Sequence, residues 1–475
     1  MTNDALLPTV PFSLDPNLYN LWSFLEMTKK NNETDKSRRT FVKGSALVAG
    51  GVASGMVGGN LSLARAAHSG ANETIRIGLI GCGGRGTGAA TQAMNTKDKG
   101  PVKLVAMGDV FADRLKTSYN SINSKHPGDT EVPADRQFVG YDAYKKVLEQ
   151  DLEMVILATP PGFRPLHFEA AVKAGKHVFM EKPVATDAPG VRRVLAAGEE
   201  AKKKGLAVAV GLQRHHESRY RDTIKALQDG VIGDINFMRA YWNGTTPWVK
   251  RREPNHTELE YQMRNWYFFN WICGDHITEQ HIHNLDVINW LKDAYPVKAQ
   301  GVGGRQVRTD KIYGEIYDHH MIEYTYADGS KMLSSCRHQK GTWRQVSEYC
   351  HGSNGDCAIA AGKITLHGGG EIQFKRPKGE PGGHQNEHHD LFASIRKGEI
   401  PNEAAYGAKS TMTAIMGRMA TYSGKELSWE QCINSELKLA DVDNMKSFDD
   451  EAPVKPNENL EYEISLPGQN NVPVL

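Results

Sequence analysis

The stretch that most constrains this chain is Ile75-Arg76-Ile77-Gly78-Leu79-Ile80 running directly into Gly81-Cys82-Gly83-Gly84-Arg85-Gly86. An apolar run of strand length, then glycines at G-x-G-x-x-G spacing, then a helical pattern, leaves few folds open. The first glycine permits a tight turn and the second lets backbone approach a pyrophosphate. The third brings helix against strand, and the helix N-terminus offers free N–H groups to the anion. The motif alone is a weak signal. It is strengthened by Asp109, which ends the next strand where a carboxylate accepts hydrogen bonds from adenosine ribose hydroxyls and repels a 2′-phosphate. A dinucleotide site built on Gly81, Gly83, Gly84, Arg85, Gly86 and Asp109 is expected, with NAD preferred over NADP.

The rhythm downstream agrees. Strand patterns at Lys103–Met107, Met154–Ala158, His177–Met180 and Ala207–Val210 alternate with helical ones at Asp142–Gln150, Pro165–Ala174 and Asp187–Lys204. Repeated β-α-β units mean a doubly wound parallel sheet with helices on both faces. This Rossmann domain is assigned to residues 73–211 and a C-terminal substrate and oligomerisation domain to 212–475. In the latter, Asp234–Asn243, Val297–Gly303, Met321–Tyr326, Ser330–Arg337 and Gln345–Cys350 read as longer strands, with Ala327-Asp328-Gly329 as a hairpin turn. The pattern predicts an α/β domain with a large open mixed or antiparallel sheet. Helical periodicity returns at His384–Lys397 and Ala404–Ser423, and the polar, proline-containing stretch after Asp441 reads as a surface wrap or a partner-contacting arm.

Residues 1–72 read as a signal and linker. Arg38-Arg39 precede Phe41 and Lys43, a Gly/Ala-rich run from Gly44 to Gly59, and the small-residue site Ala64-Arg65-Ala66-Ala67. That order matches a twin-arginine export signal, which implies passage of the folded protein through the Tat machinery to a periplasmic or extracytoplasmic location. A net charge of +1, with no Lys/Arg block, argues against a nucleic-acid partner. Six cysteines without CxxC spacing predict no disulfide framework, Cys350 and Cys357 being the nearest pair.

Three further elements carry chemistry. Glu181-Lys182-Pro183 follows the strand His177–Met180, at the sheet edge where open α/β folds bind ligands. Thr159-Pro160 ends the fourth strand and lines the same edge, with His167 on the helix that follows. In Glu279-Gln280-His281-Ile282-His283 the acid and the last histidine stand at i and i+4, side by side on a helix, where a carboxylate orients and activates an imidazole base. A metal alternative would use Glu279, His281 and His283 with His319, His320 or His388. Residues two apart diverge on a helix, so no metal is expected. The aromatic run Trp266–Trp271 offers a face on which a sugar could stack, or equally a piece of core or interface, the latter slightly favoured.

The glycine turn, Ala174–Asp187 (AGKHVFMEKPVATD) and Glu279–Asp286 together resemble the Gfo/Idh/MocA oxidoreductase family, from about Ile75 to about Trp429. The resemblance implies an N-terminal Rossmann domain and a C-terminal α/β domain whose open sheet face mediates homo-oligomerisation or holds substrate. It implies that Lys182 contacts the reacting hydroxyl and the nicotinamide ribose, that His283 is the acid–base residue, and that Arg214 and His215 border the substrate. This chain has Glu279 where the family pattern has Asp, and His281 where glycine is common, so His281 joins the substrate-contact candidates.

The expected activity is hydride transfer between a sugar or cyclitol carbinol and a tightly bound nicotinamide, with Glu279 orienting His283. The alternatives are a glycosidase or epimerase using transient oxidation of a glycoside or sugar, and a noncatalytic NAD sensor.

Overall fold

The computed structural model describes residues 73–469 and 471–475. The twin-arginine pattern and linker lie outside the described residues.

Strands β1 (Ile75–Ile80), β2 (Val102–Asp109), β3 (Gln137–Val139), β4 (Met154–Leu157), β5 (His177–Met180) and β6 (Val208–Val210) form a parallel sheet in the order β3-β2-β1-β4-β5-β6. The order reverses between β1 and β4, and ligands of such sheets sit at that switch point, beyond the carboxyl ends of the strands. β4 and β5 are buried at every position because helices cover both faces, hence the apolar runs Met154-Val155-Ile156-Leu157 and Val178-Phe179-Met180.

Part of that cover comes from far along the chain. Leu391, Phe392 and Ile395 of the helix Gly383–Lys397 pack with Phe179, Ala207 and Ala209 of the parallel sheet. Glu403, just before the helix Ala404–Ser423, accepts a hydrogen bond from the Val210 amide at 2.7 Å. The chain thus returns to the first sheet after building the second.

With β8 (Lys298–Gly304), β9 (His319–Thr325), β12 (Gly355–Ala358), β13 (Lys363–Leu366), β14 (Glu371–Gln373) and β15 (Leu427–Ser428), the second sheet runs β14-β13-β12-β11-β7-β10-β9-β8-β15. It is mixed: β7 (Ile235–Gly244) is parallel to β10 (Lys331–His338) and antiparallel to β11 (Gln345–Gly352). β10 alternates buried and half-exposed residues, as expected for a sheet with helices on one face and the other open. β9 (His319–Thr325) and β10 join through Ala327-Asp328-Gly329, with Gly329 at φ 84°. Cys350 and Cys357 stand opposite each other on β11 and β12 (Gly355–Ala358), and both are free thiols. Among the described residues no helix is long and apolar enough to cross a membrane.

Candidate active site

One cleft of about 780 Å³ runs along the carboxyl ends of the parallel strands and is closed on its far side by residues of the second half. At one end lies the glycine turn. Gly81 has φ 97°, and a Cβ there would sit 2.4 Å from the Thr159 nitrogen. A Cβ on Gly86 would sit 1.9 Å from the Gly81 carbonyl oxygen, so only glycine lets the helix Gly84–Met94 start this close to β1. Gly83 and Gly84 face open space, with nothing within 4 Å of a built Cβ. Gly83 caps the helix without a side-chain bond, leaving first-turn N–H groups available to a diphosphate.

Asp109 braces this turn. Its Oδ2 accepts from the Cys82 amide at 2.6 Å and its Oδ1 from the Phe111 amide at 2.8 Å, while burial pushes the carboxyl up. Beside it, the Thr159 hydroxyl meets His167 Nδ1 at 3.1 Å. Burial, then the Arg164 charge, lowers His167 to about 3, so the ring is neutral. Arg85 turns back from the glycine loop to pair with Glu181 and with Glu387 at 3.3 Å. Burial and the Glu181 charge hold the Glu387 carboxyl well above its usual range.

The other end of the cleft is built where β5 ends. The Lys182–Pro183 bond is cis. Lys182 Nζ donates to the Glu279 carbonyl oxygen and to Glu279 Oε1 at 3.1 Å, both side chains being only 10% exposed. Burial raises Glu279, against the pull of Lys182. His283 lines the same cleft with its ring stacked on Trp242 at 6.0 Å and its Nδ1 buried without a hydrogen-bond partner among the described residues. Burial, reinforced by Lys182 and Arg214, drives its pKa well below 6.5 and keeps it a neutral base.

The expected Glu279–His283 dyad is not formed. Ile277–His281 is a π-helical turn, and the α-helix begins only at Ile282. The wider turn breaks the i, i+4 register, so the acid faces Lys182 instead of the imidazole.

Two other expectations are corrected by position. His215 does not line the cleft; its Nε2 bonds Asp286 at 2.8 Å and its ring stacks on Trp290 and Tyr406. His281 is wholly buried and bonds the Ser334 hydroxyl at 2.8 Å, because its place in the π turn aims it at the second sheet. Arg214 does line the cleft, held by the buried Glu348, which also takes bonds from Asn284 and Tyr220. The structure adds cleft residues that the sequence reading lacked: Gln213, Trp242, Trp248, Gln280 and His384. Tyr267, Phe268, Phe269 and Trp271 are core, while Trp266 lines the cleft.

Of the metal alternative's residues, only His320 enters a compact ligand-type group, with Asp275 and His276. There the Asp275 oxygens already accept from both imidazoles, the Tyr422 hydroxyl at 2.7 Å and the Tyr317 amide at 3.1 Å. The group lies in the core, and His276 Nε2 is buried there without a hydrogen-bond partner among the described residues.

A glycine turn with bare helix amides, an acid closing β2, and a lysine and a neutral histidine facing them from across the cleft define a Rossmann-type dinucleotide-binding protein. Residues 75–212 match the oxidoreductase family Gfo/Idh/MocA, NAD-binding Rossmann fold. It is 29% identical over 246 residues to the inositol 2-dehydrogenase of Gluconacetobacter diazotrophicus, covering 52% of this chain and 62% of that relative. Among solved structures, the aldose–aldose oxidoreductase of Caulobacter crescentus superposes with TM-score 0.60 at 18% identity, over 75% of this chain and 100% of that one. The scyllo-inositol dehydrogenase of Lactobacillus casei, solved with NAD(H) and scyllo-inositol, superposes with TM-score 0.57 at 20% identity, over 75% and 100%. These likenesses establish the fold: Rossmann sheet plus second mixed sheet.

Proposed function

We propose that the protein is an exported, NAD-dependent oxidoreductase that moves hydride between a sugar or cyclitol carbinol and a tightly held nicotinamide. The observation that carries this reading is the convergence of Lys182, Glu279 and His283 on the cleft that also holds the glycine turn and Asp109. The relatives' names, inositol 2-dehydrogenase and scyllo-inositol dehydrogenase, support a polyhydroxylated ring as substrate. Export rests on the Arg38-Arg39 pattern alone, and self-association on the open sheet face, where Val302 pairs with Met321. The division into residues 73–211 and 212–475 belongs to the same reading.

Gly83, Gly84 and the first helical turn would bind the diphosphate, and Asp109 the adenosine ribose. When bound, the nicotinamide supplies the hydride acceptor. The neutral His283 imidazole takes the carbinol proton at its cleft-facing nitrogen. Lys182, positioned by the Glu279 carbonyl and carboxylate, offers N–H donors and a positive charge to the developing alkoxide. Trp242 backs the His283 ring and fixes its plane.

The test is oxidation of a panel of sugars and cyclitols by the parent protein and by His283→Asn. A reduced-nicotinamide band in the parent alone agrees with the proposal. Equal bands in both remove His283 from the chemistry, and none in either with NAD bound removes the activity.

A further inference from the structure

A chain segment far from the glycine turn in sequence packs behind Phe111 and Tyr141, which line the cleft at its cofactor end. Near its start the Leu439 amide donates to Asp187 Oδ2 at 2.9 Å, and Asp443 pairs with Arg193 at 2.9 Å. Both anchors belong to the helix Ala188–Lys203 of the parallel-sheet half or its cap. Phe448 then stacks on Phe111, ring centres 5.2 Å apart, and meets Tyr141 edge-on at 5.5 Å. Phe111 and Tyr141 line the cleft just beyond Asp109, facing Met263 and Arg264 from the other half. The Arg264 guanidinium lies 4.1 Å over the Phe111 ring, and the Tyr141 hydroxyl reaches Met263 Sδ at 3.0 Å.

Past Phe448 the segment is fastened to that other half. The Thr257 hydroxyl donates to the Phe448 carbonyl at 2.5 Å, Gln262 Nε2 to the Val454 carbonyl at 2.6 Å, and the Tyr462 hydroxyl to Glu258 Oε1 at 2.7 Å.

One strap therefore grips both lips of the cleft at the end where an adenosine would lie. The lips cannot part without breaking one set of anchors or the Phe111–Phe448 stack. We propose that residues 439–462 are a cofactor-retaining strap, with Phe448 as its key. It slows exchange of the dinucleotide once it is bound. The inference rests on the nicotinamide reading above. It supplies what an enzyme working away from the cytoplasmic cofactor pool needs: slow release. The strap is half-buried and polar around Phe448, so its opening is a local event rather than global unfolding.

The test measures NADH release from loaded protein by loss of its fluorescence on dilution into excess NAD. Two aromatic contacts are lost in Phe448→Ala, so release speeds up about tenfold. Asp443→Ala, which touches no cleft residue and only loosens an anchor, accelerates release in the same direction. Melting of the cofactor-free proteins shows whether each variant is folded; if Phe448→Ala is not, Asp443→Ala decides. Equal release from the parent and the folded variants overturns the strap. A parent that takes up no NADH overturns the nicotinamide reading instead.

Discussion

Replacing Lys182 with methionine removes the cation beside Glu279 while keeping the side chain's length. At 3.1 Å the pair's Coulomb attraction is about 5 kcal/mol at an effective dielectric near 20, most of it cancelled by the desolvation of both groups. An orphaned buried charge would cost about 3–5 kcal/mol. Glu279 escapes that cost by taking a proton, because burial has already raised its carboxyl. The stability loss then falls to roughly 1–2 kcal/mol, a shift of a few degrees in melting temperature. The catalytic loss is separate and larger. A preorganised donor to a developing oxyanion is worth about 10²–10³ in kcat, or roughly 3–4 kcal/mol. Lys182→Met should therefore stay folded, keep its cofactor and lose at least about a hundredfold in turnover. Glu279→Gln, whose amide oxygen and backbone carbonyl still accept from Lys182, should lose only about tenfold. The double variant should recover stability relative to Lys182→Met without recovering rate. Melting curves and steady-state turnover on the four proteins decide it. A Lys182→Met enzyme with more than about a tenth of parental kcat would refute the reasoning.

His283 should lose about 10²–10⁴-fold in kcat when replaced by asparagine, with NADH affinity unchanged by fluorescence titration. A base is competent in its deprotonated form, above its pKa, and burial with the neighbouring Lys182 charge lowers that pKa well below 6.5. The rate profile should accordingly stay flat from about pH 8 down past pH 6; an acid limb near 6.5 contradicts the assignment. Gly86→Ala puts a Cβ at 1.9 Å from the Gly81 carbonyl and must displace the turn, so NADH binding should weaken by well over about tenfold in a fluorescence titration. Asp109→Ala removes the carboxylate that repels a 2′-phosphate, and the ratio of NADP to NAD turnover should rise; an unchanged ratio places nucleotide choice elsewhere.

The cofactor half was legible because its signals are local. β4 and β5 are buried at every position, and β1 and β2 at all but Arg76, Lys103 and Asp109, so their apolar stretches stand out, and the glycine turn states its purpose in its spacing. Three-residue β3 is half-exposed, and β13 (Lys363–Leu366), β14 (Glu371–Gln373) and β15 (Leu427–Ser428) have only four, three and two residues, too few to show a periodicity. Lys182, Glu279 and His283 line one cleft, as the sequence led us to expect, but Glu279 pairs with Lys182 and not with His283. A five-residue π turn changes the phase of the helix after Gly274, and no spacing rule for α-helices anticipates it. His384 lines the cleft and Glu387 pairs with Arg85, 302 residues away in sequence, from a helix that folds back onto the first sheet. The stretch after Asp441 was expected on the surface as a wrap or arm; what could not be read is that its Phe448 keys onto Phe111.

The most direct test is to purify the protein without added nicotinamide and record its absorbance while sugars, cyclitols and glycosides are titrated in. The account predicts that at least one polyhydroxylated ring raises a reduced-nicotinamide band that persists until a carbonyl acceptor is supplied, and that His283→Asn raises none. Protein that yields no nicotinamide on denaturation, and gains no band when NAD is then added with the same panel, would contradict it.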